Sequence, residues 1–168
     1  MKKQLMKAQF VDNVIKAGSL PLPILNKIEN KFLFLENYQI EPANFNKLSE
    51  ALAKIIPASL NKIVFINNLL NDQSVAVLFN NLASLNNGPE VVAISHNSLD
   101  AATIEPTVNF LRSDAAVGLK RFIIKDPISH ISSGIKRKNI EPITRVLTTQ
   151  GSMMYRLKEL VLQKIGMT

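Results

Sequence analysis

The sequence predicts an α/β solenoid, in which strand–turn–helix units stack with a curved parallel sheet on the concave side and helices on the convex side. Three observations predict it. An eleven-residue pattern recurs five times with apolar residues at steps 4 and 6 of every copy; step 1 is apolar in three copies, step 11 in four, and step 9 is asparagine in two. The segments between copies have helical periodicity, and the tripeptide Ile-Glu-Pro occurs at three of them.

The eleven-residue pattern is clearest in LNKIVFINNLL, residues 60–70. Further matches begin at Asn30, Pro89, Leu119 and Leu157, so successive starts are separated by 30, 29, 30 and 38 residues. A single match would be weak evidence in a chain that is 46% hydrophobic. Recurrence at a nearly fixed period indicates a repeat.

Each match predicts a short strand followed by a turn. Apolar side chains at steps 4 and 6 share one face, because successive strand side chains point to opposite faces. At step 9, the side-chain amides of Asn68 and Asn97 can form hydrogen bonds with backbone groups that the turn leaves unpaired. Tyr38, Pro127 and Ile165 occupy step 9 elsewhere, which predicts turns built differently. The strand phase predicts one continuous core that contains Leu60, Ile63, Phe65, Val92, Ile94, Phe122, Ile124, Leu160 and Leu162.

The segments between the strands predict amphipathic helices. Pro42, Pro106 and Pro142, each within Ile-Glu-Pro, predict three helix starts. Proline suits the first turn because the N–H it lacks would have no intrahelical partner there, and the preceding glutamate faces the positive helix end. The apolar residues at helical spacing are Phe45, Leu48, Leu52 and Ile55, then Val75, Leu78, Phe79 and Leu82, then Ile104, Val108 and Leu111, then Ile143, Val146 and Leu147.

A period of 29 to 30 residues with a full helix in each unit resembles the ribonuclease-inhibitor-like class of leucine-rich repeats. The resemblance covers residues 30–168 and implies one leucine-rich repeat domain over residues 1–168. The alternative is a doubly wound α/β domain, which also alternates strands and helices. The expected parts are a partial repeat 1–29, repeats 30–59, 60–88, 89–118 and 119–156, and a truncated repeat 157–168.

The segment 157–168 supplies a strand and a turn but no helix. A solenoid needs a polar terminal cap, because an uncovered end exposes the apolar side of its last repeat. We therefore expect the chain to be a fragment of a longer array. The alternative is that the short end packs back on itself.

The composition favours a cytoplasmic protein that is not an enzyme. The chain has no cysteine and no Asn-x-Ser/Thr acceptor, whereas secreted arrays commonly have disulfide-linked caps. No apolar run reaches the roughly 18 residues that a membrane span requires. His96 and His130 have no neighbouring ligand set, and the sequence has no glycine-rich phosphate loop or nucleophile elbow. We expect no catalytic residue, cofactor or metal, and His96 on the surface of a turn.

Positive charge is concentrated in the last third of the chain. Residues 1–118 hold ten basic and ten acidic residues, and residues 119–168 hold ten basic and three acidic ones, which accounts for the net charge of +7. The lengthened unit contains ISHISSGIKRK, residues 128–138, which we expect as a basic loop between strand and helix. This segment is a candidate contact for acidic proteins, phosphoinositides or nucleic acid; the alternative is a solvated charged face. The basic-patch candidates are Lys120, Arg121, Lys125, Lys136, Arg137 and Lys138.

Sequence-specific nucleic-acid binding is not expected. Proteins that recognise a particular nucleotide sequence place side chains into a groove of the nucleic acid or stack its bases on aromatic rings. Residues 119–168 contain only Phe122 and Tyr155 as aromatic residues, and the strand phase assigns Phe122 to the core.

The strand residues that point away from the core predict a protein-binding face. Step 5 of the five copies is apolar throughout, and further apolar residues stand at steps 3 and 7. Monomers rarely expose a continuous apolar surface of this kind unless it binds a partner. The alternative is β-propensity alone, because Val, Ile and Phe favour strands on either face. The candidate residues of the concave face are Phe32, Phe34, Val64, Ile66, Val91, Ala93, Ile123 and Val161.

A further resemblance rests on the run IIKDPISHISSGIKRKNIEPITRVLTTQGSMMYRLKELVLQKIGMT, with PASLNKIVFINN and VVAISHNSLD upstream. These segments are similar to the leucine-rich domain of the CARMIL family of actin regulators. In that family one repeat is lengthened before a Lys-Asn-hydrophobic-x-Pro helix start, here Lys138, Asn139, Ile140 and Pro142, and the chain then returns to a strand like LKELVL.

The CARMIL resemblance implies a large cytoplasmic scaffold. It would have a membrane-binding domain before the repeats, then a dimerising helical region and a disordered tail that engages actin capping protein and myosin SH3 domains. Because the tail carries the capping-protein motif, no functional residue of that motif transfers to this chain. The competing interpretation is an unrelated leucine-rich repeat binding module, such as a GTPase-regulator, innate-sensor or effector-like fragment.

Overall fold

The fold alternates strands and helices along the chain. A computed structural model describes residues 31–59, 61–68, 70–97, 101–125, 137–149 and 157–163. Two short 3₁₀ turns, Ala101–Thr103 and Asp114–Ala116, flank the third helix. The elements in order are β1 (Phe32–Glu36), α1 (Pro42–Ser59), β2 (Lys62–Ile66), α2 (Asp72–Ala83), β3 (Val91–Ser95), α3 (Ile104–Arg112), β4 (Arg121–Lys125), α4 (Arg137–Thr149) and β5 (Glu159–Gln163).

The five strands form one parallel sheet in chain order, β1-β2-β3-β4-β5. The α/β class with a parallel sheet is therefore confirmed. Phe34 lies in register with Val64, Ala93, Ile123 and Val161 on the successive strands. These residues are separated by 30, 29, 30 and 38 positions, so the strand phase read from the sequence is also confirmed.

One face of the sheet packs against the helices and forms the core. The inward residues of β1 to β4 are at most 3% exposed and belong to one cluster with the apolar faces of all four described helices. Burial of the predicted residues Ile63, Phe65, Val92, Ile94, Phe122 and Ile124 is confirmed. The side chains of the predicted core residues Leu60 and Leu162 lie outside the described part of the structure.

The predicted burial of Leu160 is wrong. Its side chain is 41% exposed, although it occupies the same register position as the fully buried Phe122 of β4. Side-chain direction follows from alternation along the strand, but burial depends on what covers the side chain. β1 is also paired on one side only, and its Leu33 and Leu35 are fully buried beneath the helix layer. Among the described residues, no strand and no helix lies beyond β5.

The predicted helix faces are confirmed. Every apolar residue assigned to them by periodicity is buried, except that the side chain of Ile55 is not described. Aromatic rings join helices to strands: Phe45 meets Phe65 edge-on with centroids 5.2 Å apart, and Phe79 lies 6.0 Å from Phe122. Phe110, which the periodicity did not include, stacks on Phe79 at 5.4 Å.

Two of the three predicted helix starts agree with the structure. Pro42 is the first residue of α1, and Pro106 lies in the first turn of α3. The third prediction is wrong, because α4 begins at Arg137 and Pro142 lies inside it. Lys and Arg are good helix formers, so the residues before Pro142 extend the helix, while the proline removes one hydrogen bond within it.

The same helix corrects the predicted basic loop 128–138. Arg137 and Lys138 are helical rather than part of a loop, because they belong to the first turn of α4. Residues 128–136 lie outside the described part, as do the predicted partial repeat 1–29, His130, Tyr155 and the step-9 residues Pro127 and Ile165.

Candidate partner-binding face

The face of the sheet opposite the helices carries a continuous apolar row. Alternation along each strand places Phe34, Val64, Ala93, Ile123 and Val161 on this outer face, and the parallel register aligns them side by side. Neighbouring strands are about 4.8 Å apart, so the row, which crosses five strands and four spacings between them, is roughly 19 Å long. The structure thus brings the five predicted step-5 residues together.

The outer face is less exposed than the sequence suggested. Six of the eight candidates are half-buried, but Val91 and Ala93 are only 8% and 7% exposed, so their predicted exposure is wrong. Both belong to the central strand β3, which has a strand on each side. The small Ala93 lies between the larger Val64 and Ile123. The remaining candidates, which are half-buried and lie on the other strands, are Phe32, Phe34, Val64, Ile66, Ile123 and Val161.

Aromatic side chains give the β1 end of this face a distinct character. Phe32 and Phe34 are both half-buried, and their ring centroids lie 5.9 Å apart with a tilt of 41°. Glu36 follows them along the outer side of β1. At β4, by contrast, the outer residues next to Ile123 are the cations Arg121 and Lys125. The outer face is therefore aromatic at β1, whereas at β4 it carries cations, of which Arg121 pairs with Glu159 of β5.

The turns that bound this face are fixed by the two predicted step-9 asparagines. Asn68 accepts a hydrogen bond from the Tyr38 N–H at 3.0 Å and donates one to the Leu35 carbonyl at 2.8 Å. Asn97 accepts from the N–H groups of Asn68 and Leu70, both at 3.1 Å. The predicted amide–backbone bonding is confirmed, and each amide fixes the turn of the preceding unit.

A second repeating feature of these turns was missed by the sequence analysis. Asn37, Asn67 and His96 each follow the last residue of a strand, and all have positive φ, between 51° and 58°. Asparagine tolerates this left-handed backbone better than most residues, so the step-8 asparagines were the available signal. The backbone N–H of each donates to the end of the next strand, at Ile66, Ser95 and Lys125 respectively. His96 is exposed, as predicted.

Two members of the predicted basic patch have carboxylate partners. Lys120 Nζ lies 2.7 Å from Glu90 Oε1, and Arg121 pairs with Glu159 on the neighbouring strand. The pKa of Glu90 lies below its ordinary value, first because Lys120 donates a hydrogen bond to the carboxylate, and also because nearby positive charges favour its ionised form. These ion pairs are exposed, so each contributes little to stability.

The other members of the basic patch are not brought together by the described structure. Lys125 is half-buried at the end of β4. Arg137 and Lys138 belong to α4, and nothing further is described of their side chains; Lys136 lies outside the described residues.

A shallow cavity lies away from the outer face, where the loops after α2 and α3 meet. Its volume is about 450 Å³, and its lining is Asn86, Asn87, Gly88, Asp114, Val117 and Gly118. A side chain on Gly88 would collide with the carbonyl oxygen of Ala115, so glycine permits this approach of the loops. Asp114 is the one titratable residue of the lining.

Neither a metal cluster nor a membrane-spanning helix is formed by the described residues. No group of three or more His, Cys, Asp or Glu side chains is placed to hold a metal ion within the described ranges. Likewise, none of the described helices combines the length and the apolar character needed to cross a bilayer.

Comparisons of the chain with models of protein families, with curated proteins and with solved structures returned no match.

Proposed function

We propose that this chain is a non-enzymatic interaction module of the leucine-rich repeat type and that the outer face of its sheet binds a protein partner. The observation that carries the proposal is the register of Phe34, Val64, Ala93, Ile123 and Val161, which forms one apolar row on the face without helices. The side chains of a protein partner could pack against such a row. The row itself provides no group that could perform catalysis.

The repeat assignment within this proposal is supported by regular geometry. Equivalent strand residues recur every 29 or 30 positions over β1 to β4, and the units of β2 and β3 end in the same asparagine-fixed turn. A solenoid of such units presents one extended sheet surface, which is the usual binding surface of repeat proteins. We propose a cytoplasmic location because the chain has no cysteine.

A protein partner is favoured over a polyanion by the charges of the described residues. Lys120 and Arg121 each have a carboxylate partner, so they offer less net positive charge than the sequence suggested. Polyanion binding depends on cations that release counterions, and it would weaken steeply with salt. Binding through the apolar row should change little with salt.

The narrower proposal is that the module belongs to a CARMIL-like regulator of actin filament capping. Its support is the lengthened unit, in which 38 residues separate Ile123 from Val161, and the strand of LKELVL that follows. The Lys-Asn-Ile-x-Pro motif adds no support, because Pro142 lies inside α4 rather than at its start. A pleckstrin-like domain encoded upstream and a proline-rich tail downstream would support this assignment; a nucleotide-binding domain would contradict it.

Photo-crosslinking tests the binding face. A photoreactive side chain at Val64 should label a defined partner in cell extract, and excess unlabelled chain should compete. The matched control is the same group at Val117, which is 48% exposed but lies in the loop before β4. Equal labelling of the same protein from both positions would exclude the outer face as the specific site.

Substitution then tests whether the row is needed for binding. Val64→Asp and Ile123→Asp should abolish capture of the crosslinked partner, because each puts a charge into an apolar contact. Both side chains are only half-buried, so thermal unfolding should change little. Lys120→Glu with Arg121→Glu should mainly slow association. If the charge reversals removed all binding while the two aspartate variants bound normally, the basic residues would be the site.

A further inference from the structure

The loop between α2 and β3 contains the only Asn-Gly pair of the sequence, Asn87 and Gly88. Both residues lie outside helices and strands, and Asn87 is exposed. Among the described residues, no hydrogen bond uses the side-chain amide of Asn87 or the N–H of Gly88. Neither the amide group nor the backbone nitrogen that follows it is therefore held by a bond that would keep the two apart.

An asparagine side chain can react with the backbone nitrogen of the next residue, because the two groups are already neighbours in the chain. The nitrogen, after losing its proton to water or hydroxide, attacks the side-chain carbonyl carbon. The bond from that carbon to the amide nitrogen breaks and ammonia leaves, so that a succinimide ring remains. Water then opens the ring at either carbonyl, which gives aspartate or isoaspartate.

Glycine at the following position favours this reaction. It has no side chain to hinder the approach of its nitrogen, and its backbone is more permissive than that of other residues. Asn86 and Asn109 are also exposed, but Asn87 and Phe110 follow them, and Asn109 lies inside α3. Asn87 alone among the described asparagines combines exposure, an irregular backbone and a glycine next to it.

We propose that Asn87 is a site of spontaneous deamidation, at which the folded chain forms aspartate and isoaspartate by cyclisation onto the Gly88 nitrogen. The loop is internal to the described array, because the elements before and after it, α2 and β3, and the unit that follows them are all described. This inference rests on the loop alone and does not depend on the binding of a partner.

The reaction would change both the length and the charge of a closely packed loop. A side-chain carbon added at Gly88 would lie 2.4 Å from the carbonyl oxygen of Ala115, so the backbone has little room to shift towards it. Isoaspartate lengthens the backbone just before this contact, because the chain then runs through the former side chain. Either product also adds a carboxylate to a cavity lining that contains Asp114. Isoaspartate should therefore destabilise the fold more than aspartate does.

Mass spectrometry of the full chain tests the site. The folded chain is incubated at mildly alkaline pH, which favours loss of the Gly88 N–H proton, and is then digested and fragmented. The mass difference between an amide and an acid should appear at residue 87 severalfold faster than at Asn86 or Asn109. Isoaspartyl methyltransferase should label the same position. The control Asn87→Gln should show neither change, because its cyclisation needs a larger ring. Equal conversion at the three asparagines would overturn the proposal.

Comparison with the unfolded chain tests whether the fold permits the reaction. The folded chain should convert at a rate close to that of the chain unfolded in urea, because no hydrogen bond among the described residues restrains the two reacting groups. If the unfolded chain converted while the folded chain stayed intact, the contact of Gly88 with Ala115 would protect the site, and the proposal would be wrong.

Separation of the products tests the expected consequence. The isoaspartate form should unfold at a lower temperature than Asn87→Asp, which has the same charge and an ordinary backbone. Asn87→Asp should itself differ little from the unaltered chain, because the loop position is exposed. Equal unfolding temperatures for the isoaspartate form and Asn87→Asp would contradict an effect of the lengthened backbone.

Discussion

The strands β2 and β5 have the same alternation of apolar residues but differ in their surroundings. Ile63 and Leu160 occupy equivalent positions in the register, and both point to the helix side of the sheet. Ile63 is completely buried, whereas Leu160 is 41% exposed. The number of paired strands does not explain this difference, because β1 is also paired on one side only and its Leu33 is fully buried. A helix follows both β1 and β2 along the chain, whereas none of the described helices follows β5. The repeated sequence therefore points equivalent side chains in the same direction. How much each side chain stabilises the fold depends on what packs against it.

The largest expected effect is at the centre of the buried face. Phe65→Ala should lower the free energy of unfolding by about 3–5 kcal/mol, because it leaves a cavity beside Phe45 in a closely packed core. Urea denaturation followed by circular dichroism measures the change. Leu160→Ala is the matched control on β5, and it should cost less than about 2 kcal/mol because part of that side chain is already in water. Equal losses at the two sites would contradict the distinction between the strands.

The next effect concerns the turn after β2. Asn68→Ala should cost about 2–4 kcal/mol, because it leaves the Tyr38 N–H and the Leu35 carbonyl without their buried partner. The control is Asn67→Gly in the same turn, where glycine accepts the positive φ. Thermal and urea unfolding should show a much smaller change for Asn67→Gly. A similar loss in both variants would mean that the turn backbone, rather than the Asn68 amide, determines stability.

The smallest expected effect on stability comes from the exposed ion pair of Glu90 and Lys120, which precede β3 and β4, and it is detected as a dependence of stability on pH. The pKa of Glu90 is lowered from 4.5, so its ion pair with Lys120 stabilises the fold above that pH, and this contribution is lost as pH falls through 4.5 and then through the lowered value. The stability difference between the unaltered chain and Glu90→Gln should therefore be small at neutral pH and vanish in acid. Added salt should reduce it at neutral pH. A difference that grew on acidification would have the wrong sign for this pair.

Much of the fold could be predicted from the sequence because local spacing encodes side-chain direction. The period of the strands located all five of them, and it assigned Phe65 and Val92 to the buried face. The asparagines at step 9 predicted amide–backbone bonds at Asn68 and Asn97. The direction of a strand side chain depends on residues within a few positions of one another. The bonds to Asn68 and Asn97 join residues 30 and 29 positions apart, and they could be predicted because the same pattern recurs in successive units.

The rest depends on contacts between units and could not be read from local spacing. The pairing of Lys120 with Glu90 joins residues 30 positions apart, so the charge count alone overstated the basic surface. The burial of Ala93 follows from its larger neighbours on β2 and β4. The start of α4 was mispredicted because a proline was taken as a boundary, whereas the helix continues through it.

The asparagine turns also set an order in which the chain can complete its structure during synthesis. Asn68 supplies the acceptor for the Tyr38 N–H, 30 residues earlier, and Asn97 supplies the acceptor for the Asn68 N–H, 29 residues earlier. A ribosome releases the N-terminal residues first, so each turn waits for the next unit before its buried N–H is satisfied. At these two turns, the hydrogen bonding of one unit is therefore complete only after the asparagine of the following unit has been synthesised.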